Sequence, residues 1–189
     1  EKQISFRNDV IPVLTKSGCN SGACHGAASG QDGFGLSLFG YDPTGDYQVI
    51  TRQWVGRRVN KSLPEESLLL KKAIGAVPHT GGSRVKPGSA EYRTLAEWIR
   101  QGALADETKP PRVDRLALYP AQLTLDVGAS HRIVAIAGYE DGSRRDVTHL
   151  AEFNTTNVEI AQVDHNLFRR LLVAPPPPTR ARPGQATGE

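Results

Sequence analysis

The sequence predicts a mainly α N-terminal domain followed by a partial all-β sandwich. Apolar residues recur at helical spacing in the first hundred residues, most clearly from Ser89 to Gln101. From Val113 onward, apolar residues alternate or run together as they do in strands. The segment Lys109-Pro110-Pro111 separates the two patterns, and the charge balance changes there from basic to acidic. We therefore expect domains over residues 1–108 and 112–168, and a Pro-rich tail over residues 169–189.

Three helices are expected before this boundary. They cover residues 4–16, 64–72 and 89–101. Pro12 lies inside the first helix and is expected to kink it or to end its regular hydrogen bonding. Pro64 suits the first position of the second helix. Ser89 and Gly102 suit the N-cap and C-cap of the third.

Several short strands are expected after the boundary. They cover residues 116–119, 122–126, 131–139 and 158–163. Residues 140–143 have the composition of a hairpin turn. The strand-forming stretch is well short of the roughly 100 residues of a complete immunoglobulin-type domain, so the sandwich is predicted to be partial.

The motif that carries chemistry consists of Cys19, Cys24 and His25, with four small residues between the two cysteines. Two thiols can form thioether bonds to the vinyl groups of a haem, and the adjacent imidazole then ligates the iron. The usual attachment sequence has two residues between its cysteines, so the intervening residues here must loop out. These are the only cysteines in the chain, and a disulfide or another metal site remains as an alternative.

A glycine-rich stretch follows the motif. Residues 26–48 contain six glycines, between which lie Phe34, Leu36 and Phe39. Glycines permit close approach of the backbone to a flat cofactor, and the apolar side chains would cover its ring system. The alternative is an ordinary surface loop with a hydrophobic anchor.

A six-coordinate haem iron needs a second axial ligand opposite His25. The chain contains no methionine, and His79 lies in a loop-forming stretch between the two later helices. We therefore expect bis-histidine ligation by His25 and His79, which gives a lower potential than a histidine–methionine pair. An axial lysine (Lys71, Lys72 or Lys86) and an open five-coordinate site are the alternatives.

Charge and hydropathy limit the other partners. Arg58 belongs to a basic stretch that would pair with a haem propionate, steer an acidic redox partner, or only be solvated. The net charge of +3 and the lack of interleaved basic and aromatic residues argue against nucleic-acid binding. No apolar run is long enough to span a bilayer. Covalent haem is attached outside the cytoplasm in bacteria, so we expect an exported, periplasmic protein whose signal has been removed.

Four segments together resemble the planctomycete-type cytochrome c domain over residues 1–106. They are residues 19–26, 33–43, 64–70 and 77–82. Residues 112–168, through the stretch 141–148, resemble the start of a bacterial immunoglobulin-like domain. The resemblance makes the predicted fold class a mainly α cytochrome c-like domain followed by a partial all-β immunoglobulin-like sandwich.

The expected function is that of a monohaem c-type electron carrier with one covalent haem c, rather than an enzyme in its own right. The expected partner is a redox protein or a fused downstream domain, and the chain could serve as the redox module of a larger enzyme. Two alternatives remain: a haem sensor with an open distal site, and a haem-free adhesion module stapled by a disulfide.

Overall fold

The computed structural model describes residues 3–171, and these residues form two compact units. The first unit comprises the described residues up to Ala121 together with Val134–Glu152. The second comprises Gln122–Ile133 and the described residues from Phe153 onward. No helix within residues 3–171 is long and apolar enough to cross a membrane.

All helices belong to the first unit. They are a π-helical turn (Phe6–Val10), α1 (Ile11–Lys16), a 3-10 turn (Leu38–Gly40), α2 (Pro43–Thr51), two further 3-10 turns (Gln53–Gly56 and Pro64–Glu66), α3 (Leu68–Ala73) and α4 (Ala90–Arg100). The strands are β1 (Val113–Tyr119), β2 (Ser130–Arg132), β3 (Val134–Tyr139), β4 (Arg144–Asp146), β5 (Ala161–Asp164) and β6 (Leu167–Arg170).

Local sequence explains where the helices begin and end. The Ser89 hydroxyl accepts a hydrogen bond from the Tyr92 amide at 3.2 Å and caps α4, and Gly102 follows that helix with a φ of 98°. Pro12 lies in the first turn of α1, where its missing N–H is not needed, so it does not kink a continuous helix. A π-helical turn precedes α1 instead.

Two features of the helical region differ from the expectations. The predicted helix over residues 64–72 is interrupted at Ser67, whose ψ is 130° and whose hydroxyl accepts a hydrogen bond from the Asn60 amide at 2.9 Å. The helix α2 was not predicted. It begins at Pro43 and is capped by the Asp42 carboxylate, which accepts a hydrogen bond from the Gly45 amide.

The core of the first unit lies among the helices. Phe6 packs against Trp98 and Tyr47, with ring centroids 5.3 Å apart in both pairs. Other buried apolar side chains come from the π-helical turn and from α1 to α4: Val10, Val13, Leu14, Ile50, Leu70, Leu95 and Ile99. The Trp98 indole N–H donates to the Leu104 carbonyl at 2.9 Å, so the buried polar atom of this ring is satisfied.

The first unit also contains a three-stranded antiparallel sheet in the order β1-β3-β4. The inner strand β3 is largely buried, whereas the edge strand β1 is largely exposed. The buried Asp9 carboxylate pairs with Arg145 of β4 and connects the sheet to the N-terminal helical segment. The sheet and the helices are therefore one folding unit.

The second unit contains a separate three-stranded antiparallel sheet in the order β2-β6-β5. Phe168 of β6 packs edge-on against Phe153, with ring centroids 6.1 Å apart. Residues 122–126 form no strand, although their sequence pattern predicts one. Residues 169 and 170, assigned from sequence to the Pro-rich tail, lie in β6, and the rest of that tail from residue 172 falls outside the described residues.

The predicted mainly α cytochrome c-like domain is wrong, and the partial all-β immunoglobulin-like sandwich expected after it stays a prediction. Helices account for only 28% of the structure and strands for 17%, and the strands form two small sheets. One of those sheets belongs to the same compact unit as the helices. The physical reason is the high content of glycine (19 residues) and proline (13 residues), which leaves long connections between short helices.

Candidate functional site

The loop that carries the two cysteines begins directly after α1 and is closed by its own backbone. The His25 amide donates to the Cys19 carbonyl at 3.0 Å, and the Cys24 amide donates to the Ser21 carbonyl at 3.0 Å. These bonds bring the two ends of the motif together, with Asn20 turned into the interior and Gly22 exposed. The wider spacing between the cysteines is therefore accommodated by a compact turn.

Asn20 and Gly26 hold the backbone of this turn in place. The side chain of Asn20 is fully buried, and its amide donates to the Thr15 hydroxyl at 3.0 Å. The Asn20 carbonyl accepts a hydrogen bond from the Phe39 amide at 3.0 Å. Gly26 passes so close that a Cβ atom there would lie 2.1 Å from the Asn20 carbonyl oxygen, so only glycine fits at this position.

The imidazole of His25 is held by Phe34 in two ways. Its Nδ1 lies 2.9 Å from the Phe34 carbonyl oxygen, and the two ring centroids are 4.5 Å apart. Because a carbonyl oxygen only accepts hydrogen bonds, Nδ1 carries the proton and Nε2 of the neutral ring keeps a free lone pair. Burial lowers the pKa of His25, which favours this neutral form over the imidazolium.

The imidazole of His79 is also held by a hydrogen bond to a backbone carbonyl. It lies on the irregular loop between α3 and α4, and its Nδ1 lies 2.8 Å from the Gly82 carbonyl oxygen. The Nε2 atom of its neutral ring is again left without a proton. A Cβ atom at Gly81 would lie 3.1 Å from Cε1 of His79, so the small residue there leaves the ring room.

The rings of His25 and His79 lie close together with their planes nearly parallel. Their centroids are 6.1 Å apart, and the angle between their planes is 8°. This distance is too long for a face-to-face stack. Metal–imidazole bonds are about 2 Å long, so two imidazoles on opposite sides of one metal ion have centroids roughly 6 Å apart. The centroid separation of the two rings matches this distance.

The thiols of Cys19 and Cys24 line the same pocket as the two histidines, and they are not joined in a disulfide. Burial raises the pKa of the Cys19 thiol to about 11, and the nearby Cys24 adds to this effect. At neutral pH this group is therefore a thiol rather than a metal-binding thiolate. The Arg84 guanidinium lies 3.8 Å from the Cys24 sulfur.

The lining of the pocket is largely apolar and contains more cations than anions, the one carboxylate among its described lining residues being that of Asp32. The pocket is open to solvent and encloses about 130 Å³, which is less than the roughly 300–1,000 Å³ of typical ligand sites. The apolar walls come from Leu14, Leu36, Leu68, Leu69, Ala73 and Leu95. Arg57, Lys72 and Arg84 line it as well, and none of these three forms an ion pair with another described residue. Such a pocket suits a flat apolar ligand that carries anionic groups.

The available donor atoms limit which metal-containing group the pocket can hold. Within residues 3–171, no group of three or more histidine, cysteine, aspartate or glutamate side chains is arranged to hold a metal ion. The two imidazoles supply only two ligands, fewer than the four of a structural zinc site. A metal held here must bring further ligands of its own. A haem iron does so through its four pyrrole nitrogens, and the residues present fit that group.

Most of the site residues expected from sequence lie together. Those that line the pocket are Cys19, Cys24, His25, Phe34, Leu36, Arg58 and His79. Phe39 does not line it; its side chain is 61% exposed, and its φ of 51° places it in the left-handed region. Arg84 and Leu95 complete the pocket and were not anticipated, because no local pattern distinguishes them from an ordinary surface arginine and an ordinary core leucine.

Comparisons of this chain with protein-family models, with curated proteins and with solved structures found no match.

Proposed function

We propose that this chain is a monohaem c-type cytochrome module that transfers single electrons. The observation that carries the proposal is the pair of imidazoles, His25 and His79, whose parallel rings are separated by 6.1 Å in a pocket that also contains both cysteines. A bound haem would supply one-electron iron chemistry. The similarity of residues 1–106 to planctomycete-type cytochrome c sequences supports the same proposal.

The two cysteines anchor the cofactor. Each thiol would add across one vinyl group, with the sulfur bonding to one carbon and the hydrogen going to the neighbouring carbon, so that no oxidant is consumed. The free state of Cys19 and Cys24 and the protonated form of Cys19 agree with this role. A thiolate-bound metal would instead favour a lowered pKa at the cysteine.

The two histidines would hold the haem iron through Nε2. Backbone carbonyls of Phe34 and Gly82 hold the protons on the opposite nitrogens, which fixes the tautomer and the ring orientation before any ligand arrives. Such hydrogen bonds also make the ligating nitrogen more basic. Burial lowers the pKa of His25, so its imidazole would bind iron without first losing a proton.

The pocket walls and rim supply insulation and charge. The leucines that line the pocket keep water from the ligand, while Arg57, Lys72 and Arg84 at the rim offset the charge of two propionates. We assign electron transfer to a redox partner protein or a fused domain, in an exported, periplasmic setting.

The test is to produce the full chain together with a cytochrome c maturation system and to record its intact mass and pyridine haemochrome spectrum. We expect a c-type band and a mass increase of one haem. The matched control is the Cys19→Ser/Cys24→Ser double variant, which should gain no covalent mass. Colourless wild-type protein from a competent maturation system would contradict the proposal and favour the disulfide-stapled adhesion module, which a thiol assay would then detect.

A haem sensor is the second candidate, and the position of His79 favours considering it. The loop that carries His79 has no regular secondary structure, and the hydrogen bond that orients the ring comes from within the same loop. Such a ligand can be displaced more easily than one on a helix. Binding of carbon monoxide to the reduced protein at micromolar concentration would indicate the sensor, and failure to bind would indicate the electron carrier.

A further inference from the structure

Arg58 is a buried cation that has no carboxylate partner among the described residues. Only 6% of its surface is exposed. Its guanidinium donates to the backbone carbonyls of Val49 at 3.1 Å, Gly33 at 3.3 Å and Gln53 at 3.5 Å. These carbonyls fix the plane of the guanidinium, and they leave its full positive charge inside the pocket wall. Burying such a charge is costly unless it is well hydrogen-bonded.

The guanidinium lies over the ring of Phe34. Its Cζ atom is 4.4 Å from the centroid of that ring, which is a cation–π contact. Arg58 also holds the peptide group that precedes Phe34, because it donates to the Gly33 carbonyl. The side chain therefore restrains Phe34 at both its ring and its backbone.

Phe34 in turn restrains His25 at two points. Its ring packs against the imidazole, and its carbonyl accepts the Nδ1 proton. The same carbonyl also accepts a hydrogen bond from the Gln31 amide at 3.0 Å, so its direction is fixed. A continuous set of contacts thus runs from Arg58 through Phe34 to His25.

We infer that Arg58 is a positioning residue, which acts through Phe34 to hold the imidazole of His25 in its Nε2-ligating orientation. The inference rests on the proposed function and adds a role to a residue whose expected partner was a haem propionate. Three of its five N–H donors are directed at backbone carbonyls and its plane lies over the Phe34 ring, so orientation of Phe34 accounts for its placement better than capture of an anion does. Its fixed charge would also raise the reduction potential of a metal bound at His25, since it disfavours the oxidised state.

The experiment measures how fast the Nδ1 proton of His25 exchanges with solvent, by ¹⁵N-histidine NMR. The full chain is used, as the reduced, diamagnetic haem protein or as the colourless protein if no haem is gained. Arg58→Met should speed the exchange roughly tenfold, the scale of one net hydrogen bond. Arg58→Lys should not restore the slow rate, because lysine keeps the charge but lacks the planar set of donors. Arg52→Met, an exposed arginine outside the pocket, is the control and should change nothing.

A double-mutant cycle shows whether Arg58 acts through Phe34. Phe34→Leu keeps the backbone carbonyl and removes the ring, and the Arg58→Met/Phe34→Leu variant should exchange no faster than the faster single variant. Additive effects would overturn the inference, as would an unchanged rate in Arg58→Met or full rescue by lysine. If Arg58→Met does not fold, Arg58→Lys combined with Phe34→Leu gives the same cycle.

Failure of the inference and failure of the proposed function have different signatures. Absence of covalent haem in the wild-type protein contradicts the proposed function, whereas the exchange rate of the His25 proton can still be measured in the colourless chain. In the haem protein, the reduction potential is a second readout. It should fall in Arg58→Met and recover in Arg58→Lys, which separates the effect of charge from that of position. A potential that is the same in all three proteins would overturn the assigned charge effect.

Discussion

The imidazole of His79 is oriented by a single hydrogen bond to the Gly82 carbonyl and lies on a loop without regular secondary structure. In the proposed site it is the ligand that makes the iron six-coordinate. Removing it leaves the covalent anchors at Cys19 and Cys24 untouched. The loss is therefore expected to change the electronic state of the iron without releasing the cofactor.

The first prediction follows from this geometry. His79→Ala should convert a low-spin haem spectrum to a high-spin one, while the mass of the protein still shows one haem, and added imidazole should restore the low-spin form. Absorption and electron paramagnetic resonance spectra measure the change. His131→Ala, an exposed histidine of the second unit, is the control. A low-spin spectrum that persists in His79→Ala would mean that another side chain, such as Lys72, ligates the iron.

Val55 shows a different kind of constraint on a single residue. Its φ is 57°, in the left-handed region, and its side chain is fully exposed. A β-branched residue pays a steric cost of about 1–2 kcal/mol there, and glycine does not. The strain at Val55 is therefore not offset by any buried contact of its side chain.

The second prediction is that Val55→Gly stabilises the protein. We expect a gain of about 0.5–1 kcal/mol in the free energy of unfolding, after subtracting the larger chain entropy of unfolded glycine. The matched control is Gln48→Gly in α2, an exposed position with right-handed backbone, which should lose about 1 kcal/mol. Urea titration measures both. A loss of stability in Val55→Gly would show that the left-handed geometry is not strained.

At the scale of elements, α1 and α4 are joined by the ion pair between Lys16 and Glu91. The two charged atoms are 2.9 Å apart, and each side chain is about one-fifth exposed. Burial alone would raise the pKa of Glu91, but the hydrogen bond from Lys16, the hydrogen bonds near the helix start and the charge of Lys16 together lower it. The carboxylate is therefore more acidic in the folded protein than in the unfolded chain.

The third prediction concerns how this pair responds to acid. Because the pKa of Glu91 is depressed by folding, the pair contributes its full stability above the unfolded value of about 4.3 and loses it as the pH falls through the folded value. The difference in unfolding free energy between wild type and Glu91→Gln should thus be largest at pH 6 and shrink toward zero in strong acid. Denaturant titrations across that range measure it. A difference that does not vary with pH would contradict the assignment.

The elements that sequence predicts well are those whose signals are local. The helix α4 has its cap at Ser89, a one-sided apolar stripe and a glycine after its last turn, and all three lie within fourteen residues. The interruption at Ser67 depends on Asn60, which precedes it by seven residues, and no periodicity reveals that bond. The helix α2 lies in a glycine-rich stretch, which favours a loop assignment.

The same distinction applies to the candidate site. Cys19, Cys24 and His25 are adjacent in sequence, so their association needs no knowledge of the fold. His79 follows by elimination, because the chain has no methionine. The role inferred for Arg58 depends on carbonyls of three separate segments, and the exposure of Phe39 depends on its left-handed backbone. Neither can be read from residue type and spacing.

For the molecule as a whole, neither of the two units is one continuous stretch of sequence. The strand β3 belongs with the helices, although β2, which directly precedes it, belongs to the second unit. The chain passes from the first unit to the second and back before it ends in the second. Such a path requires pairing between segments distant in sequence. A change in composition, such as the one at residues 109–111, does not reveal which distant segments pair.

The strand β1 forms the outer edge of its sheet, and its backbone hydrogen-bonding groups on that side have no partner strand among the described residues. Four of its apolar side chains are exposed: Val113, Leu116, Leu118 and Tyr119. Exposed apolar edges of this kind pair with another extended chain. The fourth prediction is therefore that the apparent molar mass of the wild-type protein, measured by light scattering, rises with concentration. Leu118→Lys should suppress the rise, while an exposed substitution elsewhere, Gln48→Lys, should not. An apparent molar mass that stays constant with concentration would mean that the edge is protected. The seven residues of β1 have no part in the proposed chemistry, yet they govern how the protein associates in solution. They thus set the concentration at which any haem spectrum or titration should be recorded.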